Sequence, residues 1–173
     1  MSKTEDNLKV AFAGESQARN KYDYFAKVAY KQGFNYIGRI FEETALNEIQ
    51  HAKDEFKLLN GIGDTATNLK EAIEGEHYET TEMYPEFAKT AEEEGNIKAA
   101  AKFKVIGKIE AGHRDRFKKL LEMVENGTVF KRDEPIRWKC SKCGNIHEGK
   151  EAPEICPSCS HPRAYYEPEC MEF

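Results

Sequence analysis

The chain has 173 residues, 26 basic against 31 acidic, for a net charge of −5. That length fits one ordinary domain with a small appendage, and the acidic balance excludes the broad basic face a nucleic-acid grip requires. No run approaches the roughly 18 apolar residues of a membrane span, and the opening Met1-Ser-Lys-Thr-Glu-Asp-Asn lacks the order of a signal peptide, which predicts a cytoplasmic protein with no membrane partner.

In chain order, the first 126 residues hold few helix breakers, and these cluster at joints: Gly33, Gly61-Ile-Gly-Asp and Gly95-Asn. The segments between them predict helices over 4–31, 35–60, 67–94 and 96–126. Long helices with short joints read as a four-helix bundle. The second carries the stripe Ile37, Phe41, Thr44, Glu48, His51, Glu55, Leu58, and the fourth Phe103, Ile106, Glu110, His113, Phe117, Leu120, Val124. Both follow the 3-4 spacing of one helical face. Glu and His stand in each where aliphatic residues would complete the stripe.

A shift of 62 positions lays Glu48/His51 on Glu110/His113, Tyr22 on Tyr84, Phe25-Ala26-Lys27 on Phe87-Ala88-Lys89 and Gly33 on Gly95. A duplicated helical hairpin accounts for this, and it predicts that the two Glu-x-x-His pairs face each other. The match fails at Glu79, which falls on Gln17 rather than Glu15. That failure predicts a local register change in the third helix, of the π-bulge kind. Pro85 lacks the donor that would bond to Thr81, which adds a bend there.

Unpaired ions on core stripes cost several kcal/mol each, so these residues need partners, whether one another as Glu–His or Glu–Arg pairs or a metal. Two Glu-x-x-His pairs with single carboxylates from the other two helices match a di-metal carboxylate site. Glu15 is the candidate from the first helix, Glu79 and Glu82 from the third. These hard donors suit iron or manganese, with zinc left open. Tyr22 and Tyr84 are either hydrogen-bond donors to the carboxylates or core tyrosines.

Past residue 127 the pattern turns loop-rich, with five of the six prolines. The module is too small to hold together by burial alone. Cys140-x-x-Cys143 and Cys156-x-x-Cys159 form a four-thiolate tetrahedral site for zinc or a single iron, and Cys170 is left as a free thiol. The domains are thus 1–130 and 134–173.

These motifs resemble rubrerythrin over essentially the whole chain. The resemblance rests on Gly-Glu15-Ser-Gln-Ala-Arg-Asn-Lys-Tyr, Glu48-Ile-Gln-His51-Ala, Glu79-Thr-Thr-Glu82-Met-Tyr-Pro, Glu110-Ala-Gly-His113 and Trp-Lys-Cys140-Ser-Lys-Cys143-Gly with Ala-Pro-Glu-Ile-Cys156-Pro-Ser-Cys159. It implies a mainly α protein, a ferritin-like four-helix bundle with a C-terminal rubredoxin-like module. Two iron ions would occupy the bundle and one iron the cysteines. Ser160 departs from rubredoxins, which usually have glycine there.

By the same resemblance, Glu48 and Glu110 bridge the irons, Glu15 and Glu82 hold the first, and Glu79 with His113 hold the second. His51 would replace Glu82 on reduction, making Glu82 and His51 the catalytic residues. The implied activity is reduction of hydrogen peroxide to water as protection against oxidative stress. Electrons would come from an NAD(P)H-dependent reductase or rubredoxin through the tail iron. Relatives commonly form homodimers or larger homo-oligomers, some with helices exchanged. A ferritin-like ferroxidase is the alternative reading, and a zinc-ribbon interaction module a third.

Overall fold

The computed structural model describes residues 2–169, so Cys170 lies outside the described residues. The chain divides into two units, Met1–Gly63 and Asp64–Phe173.

The first unit is a hairpin of α1 (Lys3–Lys31) and α2 (Asn35–Leu58). Ser2 opens α1 with a capping box: its hydroxyl accepts from the Glu5 N–H at 3.2 Å, and the Glu5 carboxylate accepts from the Ser2 N–H at 2.7 Å. Two orphan donors of the first turn are thereby satisfied. The helix stops at Gly33, whose φ of 83° is the left-handed conformation glycine adopts without strain. There the Phe34 N–H closes onto the Ala29 carbonyl at 2.9 Å. Ala26, Ala29, Ala45 and Ala52 are the buried hydrophobic residues of this unit, so small side chains form the seam between its helices.

The second unit begins with α3 (Thr65–Tyr78), capped by Asp64, which accepts from the Thr67 N–H at 2.8 Å. A π turn follows over Glu79–Met83, then α4 (Tyr84–Glu93) and α5 (Ile97–Glu125). In the π turn the Tyr84 N–H reaches back to the Glu79 carbonyl. Pro85 comes next and has no N–H to offer. The Thr80 and Thr81 hydroxyls donate to the carbonyls of Glu76 and His77 at 2.7 and 2.8 Å. The expected third helix is therefore α3 and α4 joined by a wide turn. Gly95, with φ 74°, ends α4 as Gly33 ends α1, and the Asn96 N–H meets the Ala91 carbonyl at 2.7 Å.

The duplication is visible in the aromatic packing. Tyr22, Phe25 and Phe41 have ring centroids 6.4, 6.0 and 5.6 Å apart, and Tyr84, Phe87 and Phe103 repeat this at 6.4, 6.2 and 5.7 Å. Beyond the π turn the shift between copies is 62 positions; before it, the inserted residue makes the shift 61.

The tail is an antiparallel sheet of order β2-β1-β3, with β1 at Lys131–Cys140, β2 at Ile146–Glu151 and β3 at Tyr166–Pro168. β1 breaks register between Lys131 and Ile136, where Pro135 cannot donate to the ladder. Trp138 is fully buried among Cys140, Ala152, Cys156 and Tyr166, and its indole N–H donates to the Gly149 carbonyl at 3.0 Å. Among the described residues no helix is long and apolar enough to cross a membrane.

Candidate metal centres

In the first hairpin, α1 brings Glu15 to Glu48 and His51 of α2, all three donor atoms lying within 4.8 Å of one another. Glu and His three apart share one helix face. His51 Nδ1 stands 2.9 Å from a Glu48 oxygen. The Glu15 carboxyl holds its proton more tightly than usual, first because it hydrogen-bonds Glu48, then through burial and the Glu48 charge, with His51 acting the other way. Glu55, one turn beyond His51, adds to the negative charge felt by Glu15 and has one buried oxygen without a partner.

The second hairpin repeats the arrangement with Glu76, Glu110 and His113. His113 Nδ1 lies 2.6 Å from Glu110 and 3.6 Å from Glu76. Glu76 is raised above the ordinary carboxylate range by burial first, then by the Glu110 charge. One of its oxygens is buried and meets no hydrogen-bond partner. Two carboxylates that repel and an orphaned oxygen beside an imidazole are an arrangement a hard cation would neutralise. Iron fits this donor set.

Beside His113 and Glu110 the structure brings Glu76, a residue not among the expected ligands, while Glu79 lies outside that group of donor atoms. The one-residue insertion at Glu79–Met83 is the reason: with a shift of 61, Glu15 falls on Glu76. Glu79 is half-buried at the start of the π turn, and its charge acts on both Glu76 and Tyr84. Glu82 is exposed and lies outside the cluster of donor atoms. Tyr84 keeps its phenol proton more firmly than usual, through burial first and then the charges of Glu79, Glu110 and Glu76.

In the tail Cys140, Cys143, Cys156 and Cys159 converge. The Cys140–Cys159 and Cys143–Cys156 sulfurs are 3.8 and 3.6 Å apart. A tetrahedron with metal–sulfur bonds of about 2.3 Å has edges of about 3.8 Å. Disulfides would need about 2.05 Å, so the spacing fits one metal ion. Each C-x-x-C turn folds back on itself, Gly144 N–H to the Cys140 carbonyl at 2.8 Å and Ser160 N–H to the Cys156 carbonyl at 2.9 Å. Both turn residues are left-handed, Gly144 at φ 76° and Ser160 at φ 58°. The Cys156 thiol is drawn down to about 6, mainly by the Tyr166 hydroxyl, against burial and with help from the N–H groups of Cys159 and Ser158. The Asn145 N–H lowers the Cys143 thiol. Cys143 is exposed, Cys140 and Cys156 are buried.

The family model described as Rubrerythrin matches residues 6–121, and that described as the rubredoxin-like domain of rubrerythrin matches residues 138–167. A rubrerythrin of Porphyromonas gingivalis is 49% identical, over 96% of this chain and 90% of its own. The rubrerythrin of Nitratidesulfovibrio vulgaris is 46% identical, over 96% and 94%. A solved structure of nigerythrin in a partially reduced state is 34% identical, covering 98% of this chain and 88% of its own, with a TM-score of 0.38.

Proposed function

The chain belongs to the rubrerythrin family, and from that premise we propose that it is a non-haem di-iron peroxidase that reduces hydrogen peroxide to water. The observation that carries this reading is the pairing, on one chain, of two carboxylate–imidazole triads with a four-thiolate site of the rubredoxin type. A ferroxidase has no use for the second. The domains remain those of the sequence reading, 1–130 and 134–173.

Glu15, Glu48 and His51 would hold iron in the first hairpin, and Glu76, Glu110 and His113 in the second. Glu82, with His51 as its partner in the exchange, remains the proposed exchangeable carboxylate, and half-buried Glu79 lies near Glu76. Iron held by these donors would supply Lewis acidity and the two electrons that peroxide takes up. Two protons are also consumed in making two waters. The Tyr84 hydroxyl, protonated beside Glu76, Glu79 and Glu110, is suited to donate a hydrogen bond toward the reacting oxygens. Exposed Cys143 marks the face where an NAD(P)H-linked reductase or a rubredoxin would deliver electrons singly. A reducing cytoplasm suits four thiols left unpaired by disulfides. Large apolar residues remain exposed on each hairpin, among them Phe25, Ile37 and Ile49, and Phe87, Ile109 and Leu120. They support a homodimer or larger homo-oligomer, which sedimentation equilibrium would measure.

The test is a visible absorption trace. Iron-loaded protein is reduced without oxygen until its red tetrathiolate colour is lost, then given stoichiometric hydrogen peroxide. Rapid return of the colour is expected. A red protein that reoxidises sluggishly with peroxide, yet takes up and oxidises ferrous iron, would establish the ferroxidase instead.

A further inference from the structure

α2 carries Glu48 and His51 on the line that meets Glu15 of α1, and the same line continues to Glu55, four residues past His51. Its neighbours fix that orientation. Ala52 is buried in the seam between the two helices, and the Phe56 ring stacks on Phe12 of α1 with centroids 4.8 Å apart. Glu55 lies between these two in sequence and is half-buried, with one carboxylate oxygen buried and without a hydrogen-bond partner. A buried oxygen of this kind gives up its hydration and gains nothing in return, so such atoms are rare. Among the described residues of the helices only Glu76 shares the condition, and Glu76 stands in the carboxylate–imidazole triad of the second hairpin.

Residues four apart on a helix share one face, and helical side chains lean toward the N-terminus, so the Glu55 carboxylate leans over the turn that carries His51. The axial step between them is about 6 Å at 1.5 Å per residue. Two donors at that spacing can share one ion, as the histidines of a helical His-Glu-x-x-His motif share zinc. We propose that Glu55 is a fourth donor to the metal of the first hairpin, completing the set Glu15, Glu48, His51 and Glu55. The shift of 62 that lays Glu48/His51 on Glu110/His113 lays Glu55 on Phe117, so the second hairpin has no counterpart. Three carboxylates and an imidazole hold a hard divalent cation more tightly than two carboxylates and an imidazole. The first hairpin is therefore the tighter of the two sites.

The inference rests on the hairpins being metal sites, and the experiment separates the two. Full-length protein carrying one zinc in its four cysteines is titrated with Mn²⁺, which prefers carboxylates to thiolates, and the free ion is counted by electron paramagnetic resonance. The wild type should bind two Mn²⁺ per chain in two steps. Glu55→Gln keeps the shape of the side chain and should weaken the tighter step by about tenfold or more, leaving the weaker step in place. Glu55→Asp keeps the charge but is one methylene shorter, so it should recover only part of the affinity. This second variant carries the test if Glu55→Gln fails to fold. Unchanged steps in Glu55→Gln, or wild-type affinity in Glu55→Asp, would overturn Glu55 as a donor while the hairpin sites stand. A wild type that binds no Mn²⁺ outside its cysteines would overturn both.

Discussion

Replacing Glu76 with glutamine should stabilise the metal-free protein while depriving it of iron. Its donor oxygen lies within 4.8 Å of that of Glu110. Two unit charges at that distance repel by about 3.5 kcal/mol at an effective dielectric of about 20. Glu76 is 20% exposed in its side chain, and His113 beside it offsets part of the repulsion, so about 1–2 kcal/mol should be recovered at neutral pH. For a chain of this size that raises the melting temperature by about 2–8 °C. The glutamine oxygen is uncharged and a poorer donor to iron. Thermal melts of chelator-treated protein and iron analysis of loaded protein give the two readouts. The expected result is a higher melting temperature, loss of one iron per chain and a tail that stays red. Glu82→Gln, on an exposed residue, should change none of these. If Glu82→Gln lost the iron and Glu76→Gln kept it, the ligand assignment would be refuted.

Ser160→Gly should stabilise the tail by about 0.5–1 kcal/mol, because relief of a left-handed serine outweighs the added freedom of the unfolded chain; slower bleaching by a chelator would register it. Trp138→Ala should cost about 3–5 kcal/mol by emptying the centre of the small sheet. The red colour should vanish while the helical circular dichroism persists, and a variant that stays red would show that the metal alone suffices. In metal-free protein the raised carboxyl of Glu15 binds its proton more tightly when folded than when unfolded. Its contribution therefore favours folding at low pH and fades as pH climbs from the ordinary carboxylate range through the raised value. The wild-type melting temperature minus that of Glu15→Gln should accordingly fall as pH rises across that window, and a flat difference would show that Glu15 is not coupled to Glu48.

Much of this was legible in sequence because it depends on spacing. Twin C-x-x-C turns bring four sulfurs together whatever lies between them, and Glu-x-x-His fixes two donors on one helix face. The joints were legible as well, since Gly33 and Gly95 stand where left-handed backbone is required. Glu76 was not among the sequence candidates because an inserted residue leaves no composition signal. Its trace was the failed alignment at Glu79, and trying a shift of 61 upstream would have exposed it. Tyr166 was illegible for another reason: only the pairing of β3 with β1 brings its ring into the core with Cys140 and Cys156.

The π turn also explains how two copies of one hairpin could come to differ at a single spot. An extra residue in an ordinary helix turns everything beyond it by about 100°, which would have carried either Glu76 or the Tyr84–Phe87–Phe103 cluster off its face. The wide turn over Glu79–Met83 confines that rotation to five residues. Both flanks keep the orientation inherited from the common ancestor, and only the stretch between was free to acquire a new side chain near the carboxylates. Deleting Thr80 or Thr81 would return the helix to the symmetry of its sister, a change of one codon that runs the divergence backwards.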